Sequence, residues 1–381
     1  MTGLSPDTAA RILLSQVCEP GDPVMGALVR AAGAPGALEL VQGSATAGTP
    51  EVQGRLEAYR RRWQGVSTRD PGLLVGSVAD QQVTVVTPEC PGWPRALDDL
   101  GARAPLLLWW RGREPSPVYT ARAVAVVGAR AATAYGTHVA GELAADLGAR
   151  GVLVVSGAAY GVDAAAHRGS LAVGAPTVAV LACGVERAYP TGNAALLDRV
   201  VAESGAVVSE LPPGSHPTRL RFLERNRVIA ALARGVVVVE AAARSGSLRT
   251  LREAAELGRV TMAIPGPVTS AMSVGAHEAV RTGQAQLVTG AQDVLDLVGA
   301  LGEHVSDERR APPMLRDQLD RDSALVLEAM PTDRSVGPAG LVAITGLTPV
   351  QVIGALGVLS ALGLVRTRPE GWRLTMAALG G

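Results

Sequence analysis

The sequence predicts an α/β protein built around a doubly wound, mostly parallel sheet, with a helical domain before it and a winged-helix domain after it. Between residues 84 and 300, apolar β-branched runs alternate with stretches of helical period, which is typical of a parallel sheet with crossover helices. The residues before this region show helical spacing alone, and those after it predict three short helices and a hairpin. A chain of 381 residues is about twice the usual length of a single domain, which fits this division.

Residues 1–80 are expected to form the N-terminal helical domain. Apolar residues recur there at spacings of three and four, as in Ala9 and Ile12, and glycine and proline turns separate the helical stretches. Residues 26–36 resemble a helix-hairpin-helix unit, and the basic run at residues 60–62 suits either DNA contact or a solvated helix face. The sequence leaves these two interpretations open.

The central domain, residues 84–300, is expected to contain six buried strands. Uninterrupted β-branched runs are typical of strands that are covered on both faces, and the intervening helices would cross over between parallel neighbours. Such sheets bind ligands beyond the carboxyl ends of their strands, where turns lead into helix N-termini. The predicted strands are Ala123–Val127, Val152–Val155, Thr177–Leu181, Ala206–Ser209, Val236–Glu240 and Val260–Ile264.

The region after the sheet is expected to be a linker, residues 303–320, followed by the winged-helix domain, residues 321–381. The linker collects charge and proline and loses the apolar period. The third helix of the domain, Pro349–Gly363, carries no basic residue, which favours a protein contact or a packing role over insertion into a major groove. The arginines of the hairpin are candidate phosphate contacts: Arg366, Arg368 and Arg373.

The composition excludes several classes of function. The chain has no lysine, so a Walker A loop and Schiff-base chemistry are both impossible. Its three cysteines, Cys18, Cys90 and Cys183, are far apart and form no CxxC pair, so no metal site is expected. The glycine turns lack the GxGxxG spacing of a dinucleotide site, so no cofactor is expected either.

Apolar runs and net charge bear on location and partners. The runs fall short of the ~18 residues of a membrane helix, and residues 1–16 lack the features of a secretory signal. We therefore expect a cytoplasmic protein with no membrane partner. Because the formal net charge is zero, a nucleic-acid site would have to be a local cluster of arginines.

Two glycine-bearing turns follow the first two predicted strands. The first contains Gly128 and Arg130, and the second contains Ser156 and Gly157. Glycine lets a phosphate approach the backbone closely, serine adds a hydroxyl, and arginine forks onto phosphate oxygens. By themselves, these turns predict a ligand that bears phosphate.

A third segment concentrates arginines around the only phenylalanine of the chain, Phe222. Arg219, Arg221 or Arg225 would pair with phosphates while a base stacks on the ring, which is how single strands are bound without regard to sequence. Glu224, in the same segment, is expected to pair with Arg225. The alternative is a core phenylalanine flanked by solvated arginines.

Several acids would suit an enzyme instead. Asp163 and His167 lie four residues apart on one helix face, an arrangement that serves proton transfer but more often ties a helix down. Glu210 and Glu240 end two strands, where a nucleoside-monophosphate phosphoribohydrolase of the lysine-decarboxylase-like family would need its acid. The Pro-Gly-Gly-x-Gly-Thr signature of that family is missing from the sequence.

The motifs of the central domain occur in an order that resembles the DNA-processing protein A (DprA/Smf) family, most clearly over residues 88–290. Six or more such motifs in register are hard to obtain by chance. They are Val-Val-Gly-Ala-Arg130, Ser156-Gly-Ala-Ala-Tyr-Gly-Val-Asp163-Ala-Ala-Ala-His167, Leu181-Ala-Cys-Gly184 with Tyr189-Pro190, Ser209-Glu210, Arg225-Asn226-Arg227, Ser245-Gly-Ser247 and Pro265-Gly266.

This resemblance implies an extended Rossmann-like domain, an N-terminal domain of the SAM or helix-hairpin-helix type and a C-terminal winged helix. It also implies a homodimer that binds single-stranded DNA and delivers it to the RecA recombinase, in natural transformation or homologous recombination, without turning over a substrate. Arginines would clamp phosphates, glycine turns would capture them by backbone amides, and Phe222 would stack on a base. The implied site is Gly128, Arg130, Ser156, Gly157, Arg219, Phe222, Arg225, Asn226, Arg227, Ser245, Gly246 and Ser247.

Two rival functions stay open beside this one. The first is the phosphoribohydrolase, which would release a free base from a nucleotide. The second is a transcription regulator that binds duplex DNA through the winged helix, which the uncharged third helix disfavours.

Overall fold

The computed structural model describes residues 3–46, 48–66, 68–116, 121–299 and 319–379. The chain divides into two units, Met1–Val305 and Ser306–Gly381. The first unit therefore holds both the N-terminal helices and the sheet. The predicted linker at residues 303–320 lies outside the described residues apart from its last two.

Among the described residues, four helices precede the sheet, and each begins with a proline after a capping side chain. Proline suits the first turn because an N–H there would have no helical partner. The side-chain oxygens of Ser5, Asp22, Thr49 and Asp70 accept hydrogen bonds from the amides of the first turns. The helices are α1 (Pro6–Leu14), α2 (Pro23–Gln42), α3 (Pro50–Gln64) and α4 (Pro71–Gly76).

By length and composition, α2 is the one helix of the described chain that is long and apolar enough to cross a membrane. Gly33 interrupts it with a left-handed backbone conformation (φ 71°), and Pro35 follows the break. Each part is therefore about half of the ~20 residues that a bilayer span requires. Met25 and Val41, on either side of the break, both pack into the core of the N-terminal helices.

Two arginines of the basic run in α3 hold the N-terminal helices together. Arg60 Nη2 donates to the carbonyl of Leu40 at 2.9 Å, and Arg62 Nη1 donates to the carbonyl of Val17 at 3.0 Å. Leu40 lies in the last turn of α2, where carbonyls have no partner within the helix, and Val17 lies in the turn after α1. These contacts give Arg60 and Arg62 a structural role, whereas Arg61 is exposed to solvent.

The strands of the first unit form one sheet. They are β1 (Val83–Val86), β2 (Leu108–Gly112), β3 (Ala123–Val127), β4 (Leu153–Ser156), β5 (Thr177–Val180), β6 (Ala206–Ser209), β7 (Gly235–Val238), β8 (Val260–Ala263) and β9 (Gln286–Leu287). Their order is β1-β2-β6-β5-β4-β3-β7-β8-β9. The pairs β1–β2 and β2–β6 are antiparallel, and the other pairs are parallel.

All six predicted strands are present, with ends that differ by two residues or fewer. The sequence did not predict β1, β2 or β9. The two residues of β9 are too few to show a period, and Trp109 and Trp110 of β2 are both buried, so that strand has no alternation of polar and apolar residues. These three strands extend a parallel sheet at its two edges.

Helices cover both faces of this sheet. They are α5 (Ala134–Ala149), α6 (Val162–Ala172), α7 (Ala194–Ala202), α8 (Arg219–Leu232), α9 (Ser247–Glu256), α10 (Val274–Arg281) and α11 (Ala291–Val298), with short 3₁₀ turns at Ala79–Gln81, Arg95–Arg103 and Thr191–Asn193. Val124 and Val126 of β3 pack in one core with α5 and α11, whereas Ala125 and Val127 pack in another with α8 and α9. The α/β, doubly wound fold class is confirmed.

The central position of β3 creates the switch point of the sheet. The chain runs from β3 outward through β4, β5 and β6, and then returns along α8 to place β7 on the other side of β3. At such a point, neighbouring crossovers leave in opposite directions and a crevice opens at the carboxyl ends of the strands.

The second unit has the predicted helices and hairpin of a winged helix. Its elements are α12 (Arg321–Glu328), α13 (Pro338–Thr345), α14 (Pro349–Ala361), β10 (Val365–Arg368), β11 (Gly371–Leu374) and α15 (Met376–Leu379). Leu341, Leu356 and Leu359 lie in its core. On the outer side of α14, Val350 is 81% exposed and Ile353 is 61% exposed, so this helix presents apolar rather than cationic side chains to solvent.

Candidate nucleic-acid interface

A cavity of about 660 Å³ opens at the carboxyl ends of β3 and β7, at the switch point of the sheet. Its walls come from the turn after β3, the start of α8 and the loop that leads into α9. Nine of the predicted site residues line it: Gly128, Arg130, Arg219, Phe222, Arg225, Asn226, Ser245, Gly246 and Ser247.

The lining separates into a rim and a floor, which differ in exposure. The rim is the half-buried or exposed set Arg130, Arg219, Phe222 and Arg244. The floor is the buried set Asp163, Arg225, Asn226 and Ser247. Arginines occur in both sets, so exposure rather than residue type decides which of them a ligand can reach.

Phe222 lies on the rim between two other side chains. The guanidinium carbon of Arg130 is 4.6 Å from the centre of its ring, and the ring of Tyr189 is 5.5 Å away at an interplanar angle of 47°. A cation at that distance is attracted by the quadrupole of the aromatic face. Phe222 is half-buried on the cavity wall, and its stacking on a base stays a prediction.

The turn after β3 is held by close packing against the turn after β4. A Cβ on Gly128 would lie 2.6 Å from Val162 Cγ2, and a Cβ on Gly161 would lie 2.6 Å from the carbonyl oxygen of Arg130. Gly161 also has a φ of 76°, which side-chain-bearing residues rarely adopt. The two turns therefore fix the backbone that carries Arg130.

The buried half of α8 contributes Arg225 to the floor. Its Nη1 donates to the carbonyls of Gly157 at 2.7 Å and Val180 at 2.6 Å. Burial lowers the pKa of Arg225 to about 10, and Asp163 acts in the opposite direction, so the guanidinium stays charged at neutral pH. Burial likewise raises the pKa of Asp163, against the attraction of Arg225. A direct phosphate contact by Arg225 stays a prediction.

The loop before α9 closes the other side of the cavity. Ser245 Oγ and Ser247 Oγ are 2.7 Å apart, and Asn226 Nδ2 donates to the carbonyl of Gly246 at 3.4 Å. Ser247 is the first residue of α9, so the helix begins at the cavity wall. The N-terminus of a helix of this length attracts anions.

Three predicted site residues lie outside the lining, and each has a structural role. Ser156 Oγ donates to the carbonyl of Val126 at 2.7 Å inside the sheet, and Gly157 packs against the guanidinium of Arg225. Arg227 is fully buried, and its Nη2 donates to Glu210 at 2.6 Å. Contact of these residues with DNA stays a prediction.

The predicted pairing of Glu224 with Arg225 is wrong. Glu224 instead accepts from Arg249 at 3.1 Å and lies 3.4 Å from Arg103. Successive residues of a helix point roughly 100° apart, and Arg225 turns into the floor while Glu224 faces α9. Glu224 therefore does not neutralise the floor arginine, whose carboxylate neighbour is Asp163.

Arg221 is held by the N-terminal helical segment. Its Nε and Nη2 donate to the two carboxylate oxygens of Glu19 at 2.9 and 3.1 Å, and its Nη1 donates to the carbonyl of His216. Of the three arginines proposed for phosphates in this segment, Arg219 is the one that is exposed at the cavity.

The acids proposed for catalysis are engaged in the fold. Glu240, fully buried at the end of β7, accepts hydrogen bonds from the amide and the hydroxyl of Thr133 at 2.9 and 2.7 Å. Glu210 accepts from Arg227. Both carboxylates therefore tie strand ends to neighbouring elements.

His167 is also structural. Its Nδ1 lies 2.8 Å from Thr177 Oγ1, whose hydroxyl donates to the carbonyl of Val154. The ring is fully buried, and burial lowers its pKa to about 3. At neutral pH it is therefore uncharged, and it is hydrogen-bonded to Thr177 rather than to Asp163.

Among the aromatic and cationic residues that line the cavity, sequence reasoning missed two, Tyr189 and Arg244. Arg244 directly precedes the Ser-Gly-Ser turn, and a cation beside a glycine turn is the same signal that identified Arg130. Tyr189 belongs to one of the sequence motifs, but its position more than eight residues after β5 gave no indication of where it would lie.

Residues 84–299 match the family of DNA recombination-mediator protein A. That match covers more than half of the sequence. The chain belongs to this family. A putative DNA processing protein DprA from Mycobacterium tuberculosis is 42% identical over 390 positions, which cover 99% of this chain and 97% of that protein. The resemblance to the DprA/Smf family is thereby confirmed.

Other members of the family agree in sequence and in structure. The DNA processing protein DprA of Streptococcus pneumoniae is 41% identical over 192 residues, or 50% of this chain and 66% of that protein. Its X-ray structure superposes with a TM-score of 0.60 at 28% identity and covers 77% of this chain and 98% of that one. DNA processing protein A of Helicobacter pylori, solved to show its single-stranded DNA binding mode, has a TM-score of 0.50 at 28% identity over 57% of this chain and 96% of that one.

Proposed function

We propose that this family member binds single-stranded DNA in the cavity, protects it, and loads RecA onto it. The observation that carries the proposal is the rim, where the Arg130 guanidinium lies 4.6 Å from the centre of the Phe222 ring. Arginine on phosphates and an aromatic ring on bases are the two contacts that hold single strands regardless of sequence. The single-stranded DNA binding mode of the Helicobacter pylori relative supports the proposal.

The charge of the cavity supports it as well. The formal net charge of the whole chain is zero, but among the described residues four arginines and one aspartate line the cavity. A cleft lined by one sign of charge concentrates ions of the opposite sign. The charged lining residues are Arg130, Arg219, Arg225, Arg244 and Asp163.

We further propose that the protein turns over no substrate. A phosphoribohydrolase needs an acid that reaches the sugar, but Glu210 and Glu240 are both bound to protein groups and neither lines the cavity. Asp163, which does line it, accepts from the amide of Ala159 at 3.3 Å and is buried beside Arg225. These carboxylates brace the site.

We propose a cytoplasmic homodimer, with RecA as the protein partner, and a division into domains at residues 1–80, 84–300 and 321–381 with a linker at 303–320. The apolar outer side of α14 supports a protein contact for the last domain, since a helix that enters a major groove usually supplies groups for phosphates and base edges.

Fluorescence anisotropy of the full chain with labelled oligo-dT and with a matched duplex, over a series of salt concentrations, tests the proposal. We expect tighter binding to the single strand and a linear fall of log K with log salt, because each neutralised phosphate releases counterions. Failure to bind oligo-dT at low salt would contradict the proposal. Release of free base from nucleoside monophosphates would then support the hydrolase, and preference for the duplex would support the regulator.

A further inference from the structure

Tyr160 presents an exposed aromatic ring beside the cavity, outside its lining. The side chain is 50% exposed, and it belongs to the turn between β4 and α6 that packs on the turn carrying Arg130. Half of this side chain is therefore accessible to a ligand. The sequence motifs and the proposed site both leave Tyr160 without a role.

The backbone that carries Tyr160 is fixed in place. Ala158, two residues before Tyr160, has a left-handed φ of 55°, and Gly161, directly after it, has a φ of 76°. Asn193 Nδ2 donates to the carbonyls of Ala158 at 2.9 Å and Ala159 at 3.3 Å. A ring on such a turn loses little conformational freedom when a ligand binds, which favours affinity.

The ring lies against the loop that supplies Tyr189 to the cavity wall. A Cβ on Gly192 would come within 2.6 Å of the Tyr160 hydroxyl and 3.2 Å of its Cε1, so Tyr160 packs beside the segment that starts at Tyr189. Tyr189 in turn is 5.5 Å from Phe222. Aromatic groups thus continue from the rim, through Tyr189, to the turn that carries Tyr160.

A strand of DNA has to leave the cavity over its rim. A volume of about 660 Å³ is in the range that holds one drug-sized ligand, whereas single-strand sites on an OB-fold span roughly 4–16 nucleotides. The nucleotides that extend beyond the cavity need contacts of their own, and any base can stack on any aromatic face.

We propose that Tyr160 is a base-stacking platform for a nucleotide outside the cavity, so that the site is longer than the cavity. This inference rests on the proposed function. It assigns to Tyr160 an unstacked nucleobase as its ligand, held by the face of the ring and without regard to base identity.

The test compares Tyr160→Ala and Tyr160→Phe with the unchanged protein, using labelled oligo-dT of increasing length. For the longest oligomers, Tyr160→Ala is expected to weaken binding by roughly 5- to 150-fold, the loss of one stacked base. Oligomers short enough to fit the cavity should bind both variants equally well. Tyr160→Phe should behave as the unchanged protein at every length, because stacking uses the ring and not the hydroxyl.

A matched control and a second readout separate stacking from distortion of the turn. Val173, 45% exposed at the other end of α6, is expected to tolerate Val173→Ala with no change at any length. Photocrosslinking of 5-iodouracil-substituted oligo-dT to the unchanged protein should modify the tryptic peptide 151–168. This peptide contains two aromatic residues, the exposed Tyr160 and the buried His167.

The outcomes are distinguishable. If the unchanged protein binds no oligo-dT, the proposed function fails. If it binds, the proposed function stands, and three results would each overturn the inference about Tyr160. Tyr160→Ala could lose affinity equally for short and long oligomers, it could lose none, or no crosslink could map to residues 151–168.

Discussion

The rim and the floor of the cavity use the same residue type for opposite purposes. Arg130 and Arg219 on the rim are exposed to solvent, whereas Arg225 on the floor is 7% exposed and is engaged by two backbone carbonyls. Arg227, two residues further along α8, is fully buried on Glu210. A single arginine-rich segment therefore supplies both a candidate ligand contact and the bracing beneath it. We expect substitutions at the buried arginines to lower the stability of the fold. Substitutions on the rim should instead change the affinity for DNA and its dependence on salt.

The largest effect is expected from Arg227→Met, which should lower the free energy of unfolding by about 3–5 kcal/mol, since it leaves Glu210 buried without its partner. Urea unfolding measures this. The double variant with Glu210→Leu should recover much of the loss, and Arg219→Met on the exposed side should cost little. Arg227→Met that unfolds normally but loses DNA binding would show that Arg227 contacts the ligand.

Phe222→Ala should weaken oligo-dT binding by about 1–3 kcal/mol for all base compositions, because it removes one stacking face. Its urea unfolding midpoint should stay close to that of the unchanged protein. A large loss of stability instead would place Phe222 with the floor and restore the interpretation of a core phenylalanine.

His167, which is buried where α6 packs on β5, should make stability depend on pH. Its pKa in the folded chain is lowered to about 3 by burial, and the unfolded value is about 6.5. The unfolded state therefore binds the extra proton between these values, and stability is lost as pH falls through that window. At pH 5 the unchanged protein should have lost about 2 kcal/mol more, relative to pH 7, than His167→Gln.

Asp163 and Glu210, whose pKa values burial raises, act in the opposite direction. Both are present in the unchanged protein and in His167→Gln, so the difference between the two isolates the histidine. Parallel stability curves for the two proteins between pH 7 and 5 would show that His167 is protonated in the fold.

The smallest effect is expected from Arg130→Ala, which should reduce the slope of log K against log salt by about 0.7, the contribution of one phosphate on a single strand. Arg281→Ala, which removes a 73% exposed side chain paired with Glu278, serves as the control and should leave the slope unchanged. An unaltered slope in Arg130→Ala would remove that residue from the phosphate contacts.

Much of this organisation could be predicted from the sequence. Continuous β-branched runs such as Ala123–Val127 indicate buried parallel strands, and the glycine turns after β3 and β4 pointed to the end of the sheet where the cavity lies. The residues themselves also identified Arg130 and Phe222, and the family resemblance added the Ser245–Ser247 turn; all of these line that cavity.

The direction of each arginine could not be predicted in the same way. Whether an arginine in α8 faces the cavity or the core depends on Glu19, more than 200 positions earlier, and on Glu210, which follows a different strand. Local spacing carries no information about such distant partners. Glu224 was assigned to Arg225 for the same reason, and its partners, Arg103 and Arg249, lie on other elements.

Hydrogen–deuterium exchange of the full chain, with and without saturating oligo-dT, tests most directly the claim that the strand binds at the rim of the switch-point cavity. The account predicts added protection in residues 128–133, 217–223 and 244–247, which carry the rim, with the winged-helix unit unchanged. Protection confined to α14 and the hairpin at residues 365–374 would contradict it.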